Sequence, residues 1–319
     1  MTTDSNKIAI IGAGNVGSTL AYTIVISRIA NEIVLVDKNE EKAAGEAMDL
    51  NDGLSFIDSV NIYPGDYSDI AGAKIIIITA GATQKVGETR IDLLNRNIVI
   101  LKDMIDNILK YNKSAILLIV TNPVDVLSYA AFRFSKFESQ RVIGSGTVLD
   151  TSRLRFLIGK HCQVNPRNVH TYVIGEHGDS EFALWDHAVI GGASLKDFSQ
   201  LSSDDKHPCN NKNDMNRFVQ QTKDAAYKII KAKGSTYYAI ALAVRSIISS
   251  ILHNESSILC TSNLINDYYG VNEVYLGTPA IIDITGVRAL IKLRFSTEEK
   301  NCFIKSANKI KKLIKQLNL

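Results

Sequence analysis

The sequence contains few of the residues that are typical of a disulfide-rich, proline-rich or membrane-spanning protein. Its 319 residues include four cysteines and five prolines, and no apolar run reaches the roughly 18 residues that cross a bilayer. The cysteines, at positions 162, 209, 260 and 302, form no C-x-x-C pair, which argues against a zinc site or a dithiol redox centre. Because the short polar N-terminus has no signal-peptide core, we expect free thiols and a cytoplasmic protein.

The sequence also has little excess of positive over negative charge. The 36 Lys and Arg against 33 Asp and Glu leave a formal net charge of +3, too small for bulk attraction to a nucleic acid or a membrane. Hydrophobic residues make up 45% of the chain and charged residues 22%, as in globular proteins. A chain of this length buries enough surface to fold without disulfides or metals. We therefore expect one or two globular domains with no metal, nucleic-acid or membrane partner.

Short apolar runs without alternation recur through the first half of the chain. They are residues 8–11, 33–36, 74–79, 115–120 and 141–143. Continuous β-branched runs are typical of strands buried on both faces of a parallel sheet with helical crossovers. Residues 91–108 repeat apolar positions every three or four residues, as on one face of an α-helix. These patterns predict an α/β protein in which residues 1–145 form a Rossmann-type doubly wound domain.

The pattern changes in residues 146–319, which we assign to an α+β substrate-binding domain. The predicted elements are a helix from Asp150 and strands at 171–174, 257–260 and 280–284. The polar segment 199–214 is expected to be a surface loop. Ser296 and Glu299 form a capping box for a last helix. We interpret the six lysines of this helix, between residues 300 and 315, as a solvated face rather than a surface for an acidic partner.

A glycine-rich turn follows the first predicted strand and opens a helix. Residues 12–17 read G-A-G-N-V-G, in which the glycines permit a tight turn, backbone approach to a pyrophosphate and close helix packing. Asp37 ends the next strand, where a carboxylate binds the adenosine ribose and repels a 2′-phosphate. The pattern therefore predicts an NAD site. The candidate cofactor residues here are Gly12, Ala13, Gly14, Asn15, Val16, Gly17, Asp37, Thr79, Ala80 and Gly81.

A second group of residues points to acid–base chemistry. His177 lies in a glycine-bounded loop, residues 175–179, after an apolar strand. Asp150 and Arg153 are three apart on a predicted helix and share a face, whereas Arg155 must point elsewhere. A histidine exchanges protons at neutral pH, a buried aspartate fixes its tautomer, and an arginine holds a carboxylate. This set predicts catalysis on a small anionic substrate.

The segment 81–90, here called the lid segment, follows the strand ending at Thr79. It lies where such sheets bind ligands, and glycines near both ends suit a hinge. By itself, however, the segment also reads as an ordinary loop between a strand and a helix.

Five segments together resemble the bacterial L-lactate dehydrogenases of the lactate/malate dehydrogenase family over essentially the whole chain. They are residues 11–17, 87–90, 121–123, 146–153 and 174–179. The resemblance implies that His177 is the acid towards pyruvate and the base towards lactate, with Asp150 as its partner. It also implies that Arg153 grips the substrate carboxylate and that Arg90 polarises the carbonyl. The further residues that it implies near the substrate oxygen or nicotinamide are Asn122 and Ile240.

Within this family, the choice between pyruvate and oxaloacetate falls on two positions. Gln84 stands where malate-type enzymes have an arginine, so a second carboxylate would be unpaired. Thr236 also matches lactate-type enzymes. The resemblance therefore implies NADH-dependent reduction of pyruvate, the last step of lactic fermentation after glycolysis. A malate or other 2-hydroxy acid dehydrogenase stays open as the alternative, and a non-catalytic NAD-binding protein is the remote one.

The resemblance also implies regulation. Arg155 and His170 match positions at which many bacterial relatives bind fructose 1,6-bisphosphate across a two-fold subunit interface. Two subunits would supply two arginines and two histidines for two phosphates. The expectation is a homo-oligomer, a tetramer, activated by this sugar bisphosphate. The alternative is a surface arginine and a strand histidine that bind nothing.

Overall fold

The computed structural model describes residues 6–58, 60–82, 87, 89–195, 197–198 and 211–319. The strands are β1 (Lys7–Ile11), β2 (Glu32–Val36), β3 (Asn61–Pro64), β4 (Ile75–Ile78), β5 (Ile116–Ile119), β6 (Val142–Gly144), β7 (Val169–His170), β8 (Val173–Ile174), β9 (Phe182–Ala183), β10 (Val189–Ile190), β11 (Ala193–Ser194), β12 (Ser257–Ile265), β13 (Val274–Asp283) and β14 (Gly286–Leu290). The main helices are α1 (Asn15–Ser27), α2 (Glu40–Asp52), α3 (Arg90–Tyr111), α4 (Val124–Ser135), α5 (Val148–His161), α6 (Lys212–Lys233), α7 (Tyr238–Leu252) and α8 (Thr297–Gln316).

The largest sheet has nine strands in the order β14-β13-β12-β6-β5-β4-β1-β2-β3. The six strands from β6 to β3 pair in parallel, in the strand order of a doubly wound nucleotide-binding fold. The predicted fold class is therefore confirmed. The three remaining strands are antiparallel and come from the second half of the chain, joined to β6 through Ser262 and Gly144.

Burial on both faces explains the continuous apolar runs. All four isoleucines of β4 are fully buried, and each such side chain stabilises the fold by about 1.5–3 kcal/mol. Alternate residues of β1 enter different cores: Ala9 and Ile11 pack with α3, α4 and α8, whereas Ile8 and Ile10 pack with α1, α2 and α7. Helices therefore cover both faces of the parallel strands, as the sequence pattern predicts.

The second half adds a smaller layered region beside the sheet. Strands β7, β10 and β11 form one antiparallel sheet, and β8 and β9 form a hairpin. A separate core lies under α5 and α6 and includes Leu154, Ile158 and Phe218. This region positions α5, which carries Asp150.

Several sequence predictions need correction. The strand β3 is missing from the predicted set because its Asn61 and Pro64 are exposed and interrupt the apolar run. Residues 199–210 of the predicted loop 199–214 lie outside the described part of the structure. The loop prediction is wrong for residues 212–214, because α6 begins at Lys212 after an Asn211 cap. The capping box of Ser296 is confirmed.

The cysteines also differ from the expectation. Cys260 and Cys302 are free thiols, but Cys162, which follows α5, is disulfide-bonded. The prediction of four free thiols is therefore wrong. In the part of the chain that the structure describes, no helix combines the length and the apolar character needed to cross a membrane.

Candidate active site

The glycine-rich turn between β1 and α1 is shaped by close backbone contacts. Gly12 has a φ of +111°, and a Cβ there would lie 2.6 Å from the backbone nitrogen of Ala80. A Cβ on Gly17 would lie 1.8 Å from the carbonyl oxygen of Gly12. A Cβ on Gly14, in contrast, would meet no described atom within 4 Å, so the space in front of this residue is open. Because Gly14 caps α1 without a side-chain hydrogen bond, the first N–H groups can bind phosphate oxygens.

Asp37 lies beside this turn at the end of β2. One carboxylate oxygen accepts the N–H of Ala13 at 2.7 Å, and the other accepts the N–H of Asn39 at 2.9 Å. The residue is only half-buried, so the carboxylate can also bind hydroxyl groups. This arrangement fits the ribose of NAD, since the negative charge opposes a 2′-phosphate.

The residues after β4 contact the glycine-rich turn. The hydroxyl of Thr79 donates to the carbonyl of Gly12 at 2.8 Å. The hydroxyl of Thr121 donates to the carbonyl of Ala80 at 2.7 Å, and a Cβ on Gly81 would lie 2.4 Å from the Thr121 methyl. These contacts fix the strand ends β4 and β5 against the glycine-rich turn.

The segment before α7 also reaches the cofactor side. The amide of Asn15 donates to the hydroxyl of Ser235 at 2.9 Å. Thr236 follows directly and is half-buried. Ile240, in the first turn of α7, packs against the same core as Val16. The structure therefore brings Thr236 and Ile240 to the neighbourhood of α1.

The catalytic candidates form one hydrogen-bonded chain. His177 Nδ1 lies 2.7 Å from Asp150 Oδ2, and Arg153 donates to Asp150 Oδ1 at 2.8 Å. Helix α5 is anchored beside them because the hydroxyl of Thr151 accepts the N–H of Val173 at 3.0 Å. The Asp150 side chain is 3% exposed, whereas that of His177 is 25% exposed. The histidine can therefore meet a substrate while its partner is shielded from water.

Burial and charge act on these groups in opposite directions. Burial disfavours the charged form of His177, but the Asp150 carboxylate outweighs it and raises the His177 pKa to about 9. Burial also disfavours the charged form of Asp150, but His177 and Arg153 outweigh it and lower the Asp150 pKa. The dyad therefore favours an imidazolium paired with a carboxylate.

Asp125 is a site residue that the sequence analysis missed. One oxygen accepts the backbone N–H of His177 at 2.7 Å, and the other accepts the hydroxyl of Ser262 at 2.5 Å. Burial raises the Asp125 pKa to about 6 despite these hydrogen bonds. The sequence signal that could have identified Asp125 is an acidic residue within the otherwise apolar first turn of α4. Its partners lie 52 and 137 residues away, so the sequence pattern alone could not identify them.

Glu181 is a second missed residue. It is 3% exposed, and burial together with the Asp150 charge raises its pKa to about 8. Ligand atoms of Asp150, His177 and Glu181 lie within 4.8 Å of one another, a spacing that a metal ion can occupy. Because Arg153 already binds Asp150, its charge opposes a cation, and we interpret the group as acid–base machinery.

The positions implied for regulation lie away from this dyad. Arg155 donates to the carbonyl of Thr171 at 3.1 Å and lies over the Tyr172 ring at 5.6 Å. His170 is exposed on β7, directly before Thr171. Arg153 and Arg155 therefore have different partners, as the spacing argument expects, and the Arg155 partner is the residue that follows His170.

Asn122, Arg90 and Gln84 are the remaining predicted site residues, and the structure describes them to different extents. Asn122 is exposed, lies three residues after β5 and directly precedes the Pro123 cap of α4, where its side-chain oxygen accepts the N–H of Val124 at 3.3 Å. Arg90 begins α3 after the Thr89 cap. The side chain of Arg90 and all of Gln84 lie outside the described part of the structure.

Comparison with known proteins agrees with this geometry. Residues 6–144 match the lactate/malate dehydrogenase NAD-binding domain, and residues 147–318 match the α/β C-terminal domain of the same family. The L-lactate dehydrogenase of Acetivibrio thermocellus is 49% identical over 313 residues, covering 98% of both chains. That of Clostridium botulinum is 48% identical over 308 residues, covering 97% of this chain and 96% of the relative.

Solved structures give the same result. A lactate dehydrogenase from a Medee basin deep-sea metagenome has a TM-score of 0.94 at 41% identity and covers 99% of each chain. The minor L-lactate dehydrogenase of Enterococcus mundtii has a TM-score of 0.94 at 37% identity, covering 98% of this chain and 99% of the other. The predicted NAD cofactor is confirmed by the matched domain. The chain belongs to the lactate/malate dehydrogenase family of NAD-dependent oxidoreductases.

Proposed function

We propose that the protein is an L-lactate dehydrogenase that reduces pyruvate to L-lactate with NADH and catalyses the reverse reaction with NAD. The observation that carries this proposal is the Asp150 carboxylate, which binds His177 with one oxygen and Arg153 with the other. It places a proton donor beside a guanidinium suited to a substrate carboxylate. Relatives at 48–49% identity that are named L-lactate dehydrogenases support the same reaction.

Each residue has a defined task in this mechanism. When bound, NAD supplies hydride exchange at nicotinamide C4. Arg153 binds the substrate carboxylate, and His177 donates its proton to the carbonyl oxygen during reduction and takes it back during oxidation. Asp150 holds Nδ1 of His177, so Nε2 faces the substrate, and it stabilises the imidazolium. The proposed mechanism assigns Arg90 to polarising the carbonyl and Asn122 to contacting the carbonyl oxygen.

The first test is proton transfer by His177. His177→Gln should lower kcat for pyruvate by about a thousandfold while the Kd for NADH stays unchanged. The control is His253→Gln. The His253 side chain is 46% exposed and lies at the C-terminal end of α7. Full activity in His177→Gln would refute the assignment.

For substrate choice, we propose that Gln84 and Thr236 favour the methyl group of pyruvate. An unpaired second carboxylate beside Gln84 would cost several kcal/mol, and about 4 kcal/mol is a thousandfold in kcat/KM. The measurement is kcat/KM for pyruvate and for oxaloacetate with NADH in one buffer, on the unsubstituted protein and on Gln84→Arg. We expect pyruvate to be preferred and the preference to reverse in the variant. A preference of the unsubstituted protein for oxaloacetate would instead indicate a malate dehydrogenase.

For regulation, we propose activation by fructose 1,6-bisphosphate at Arg155 and His170. The support is that Arg155 binds the carbonyl of Thr171, the residue after His170, and that His170 is exposed. Pyruvate KM should fall when the effector is added, and Arg155→Ala with His170→Ala should abolish the response. Unchanged kinetics with the effector, or an equal response in the double variant, would refute the site.

We also propose a homotetramer, supported by large exposed apolar side chains on the surface. Tyr22 and Ile26 of α1 are 55% and 50% exposed, and Tyr238 and Leu242 of α7 are 65% and 60% exposed. Because α1 packs beside α7, these side chains lie on neighbouring helices, and such surfaces usually mark subunit contacts. Sedimentation should give four times the chain mass of 35.1 kDa. Leu242→Lys should shift it towards smaller species, and a monomer for the unsubstituted protein would contradict the proposal.

The proposed reaction also suggests a cellular location and separate roles for the two halves of the chain. We propose that the enzyme works in the cytoplasm, where glycolysis yields both pyruvate and NADH and lactic fermentation regenerates NAD. Residues 1–145 would hold the cofactor and residues 146–319 the substrate, as the two matched family domains support. Cell fractionation with activity assays checks the location.

A further inference from the structure

The last helix, α8, touches the loop that carries His177. The hydroxyl of Ser306 is fully buried and accepts the backbone N–H of Glu176 at 2.6 Å. It also lies 3.0 Å from the hydroxyl of Ser180. Gly175 has a φ of +97°, and a Cβ there would lie 2.8 Å from the Ser306 oxygen. The helix and the loop are therefore in direct contact at the residue before His177.

Lys309, almost one turn later on α8, adds an ion pair to this contact. Its Nζ lies 2.7 Å from Glu176 Oε1 and 4.0 Å from the carboxylate of Asp179. These two acids flank His177 in the sequence. The Glu176 side chain is 12% exposed, and its other oxygen accepts a hydrogen bond from the Ser180 hydroxyl. Lys309 therefore supplies the positive charge for a largely buried carboxylate next to the catalytic histidine.

This contact distinguishes Lys309 from the lysines with which the sequence pattern groups it. Lys312, three residues later on the same helix, is exposed, as expected for a solvated face. Lys309 is also partly exposed, at 41%, but its ammonium group points to the catalytic loop. Lys309 is therefore solvent-exposed, as the solvated-face interpretation expects, and is also paired with the catalytic loop.

The loop is also held from two other sides. Asp125 of α4 binds the backbone N–H of His177, and Gly175 and Gly277 of β13 exchange backbone hydrogen bonds at 2.8 and 2.9 Å. We propose that Lys309 and Ser306 are positioning residues that complete this frame and hold His177 against Asp150. This inference rests on the proposed dehydrogenase function. Neither residue acts on the substrate; both act through Glu176.

The physical reason is the cost of an unpaired carboxylate. Without the Lys309 charge, the Glu176 carboxylate keeps, among the described residues, only the Ser180 hydrogen bond, so we expect it to turn towards water and to shift the adjoining His177. Displacing a catalytic group by about 1 Å can cost about a hundredfold in rate. The glycine-rich turn is on other elements, so NADH binding should not change.

The test compares three variants of the complete enzyme. Lys309→Met should lower kcat/KM for pyruvate by about tenfold to a hundredfold and leave the NADH Kd, from fluorescence titration, unchanged. Lys309→Arg should retain activity within about twofold because it keeps the charge. Lys312→Met is the matched control and should equal the unsubstituted protein. Wild-type kcat/KM in Lys309→Met would overturn the proposal, and so would a parallel loss of NADH binding, since that would show a general structural role.

A double-mutant cycle gives an independent check. Glu176→Gln removes the negative charge that Lys309 neutralises, so Lys309→Met should do less harm in that background. Multiplicative losses in the double variant would overturn the coupling. If the unsubstituted protein reduces no 2-oxo acid, the proposed function itself is refuted. If the unsubstituted protein and Lys309→Met reduce pyruvate at equal rates, only the positioning role is refuted.

Discussion

The strongest prediction concerns the pH dependence of the Asp150→Asn variant. Asp150 holds the pKa of His177 at about 9, compared with an ordinary value of 6.5. Reduction of pyruvate needs the protonated histidine, so kcat/KM should be constant at low pH and fall as the pH rises through this pKa. Asparagine keeps the size of Asp150 but removes its charge, and the burial that opposes the imidazolium remains. The His177 pKa should therefore return to its ordinary value or below.

The expected magnitude follows from these two values. The pH at which kcat/KM falls should decrease by about two pH units or more, equivalent to about 3 kcal/mol. At about pH 8, most of the native histidine is protonated, but only a few per cent in the variant, so protonation alone should cost about thirtyfold.

The assay is NADH oxidation with pyruvate between about pH 5.5 and pH 10.5. Lactate oxidation is measured in parallel because it needs the neutral histidine. Its rate should rise with pH, and the midpoint of this rise should also move to lower pH in the variant. Asp103→Asn, an exposed aspartate on α3, serves as the control. An unchanged profile in Asp150→Asn would refute the reasoning that the Asp150 charge sets the His177 pKa.

Three further predictions follow from the site. Glu181→Gln should shift the same pH profile towards lower pH, but less than Asp150→Asn, since the Glu181 charge raises the His177 pKa less; a shift to higher pH would contradict this order. Asp125→Ala should lower the free energy of unfolding by about 3 kcal/mol in urea titrations, because the His177 N–H and the Ser262 hydroxyl lose a buried acceptor. Ser262→Ala should cost less, and equal losses would disprove the shared-acceptor role. Asp37→Ala should raise the ratio of kcat/KM with NADPH to that with NADH by at least about tenfold, and an unchanged ratio would exclude Asp37 from cofactor choice.

The nucleotide half was largely predictable from the sequence because its signals are local. The strands β1, β2, β4, β5 and β6 match the apolar runs within one or two residues, since both faces of each strand are buried. The glycine-rich turn was readable because its three glycines lie at fixed spacing between a buried strand and a helix, although the Ala80 backbone that Gly12 approaches belongs to a distant part of the chain. The edge strand β3 was missed because one side of it faces water and its residues are mixed in polarity.

The substrate half was less predictable because its contacts join distant parts of the chain. His177 and Asp150 were identified as candidates, but their 2.7 Å contact depends on how α5 packs beside β8. Asp125 and Glu181 carry no local motif, and their pKa values are perturbed by groups brought close only in the folded chain. The two-residue strands β7 to β11 are too short for a periodic pattern.

The pairing of β12 with β6 has a consequence for cooperativity. Because the main sheet continues from the first half of the chain into the second, the two halves share one hydrogen-bonded frame. A Cβ on Gly144 would lie 2.4 Å from the Ser128 hydroxyl oxygen and 2.7 Å from the Ser262 Cβ, so the join is tightly packed. Heating should therefore unfold both halves in one transition. A fragment ending at residue 145 would leave the edge of β6 open to pairing with other chains and should aggregate.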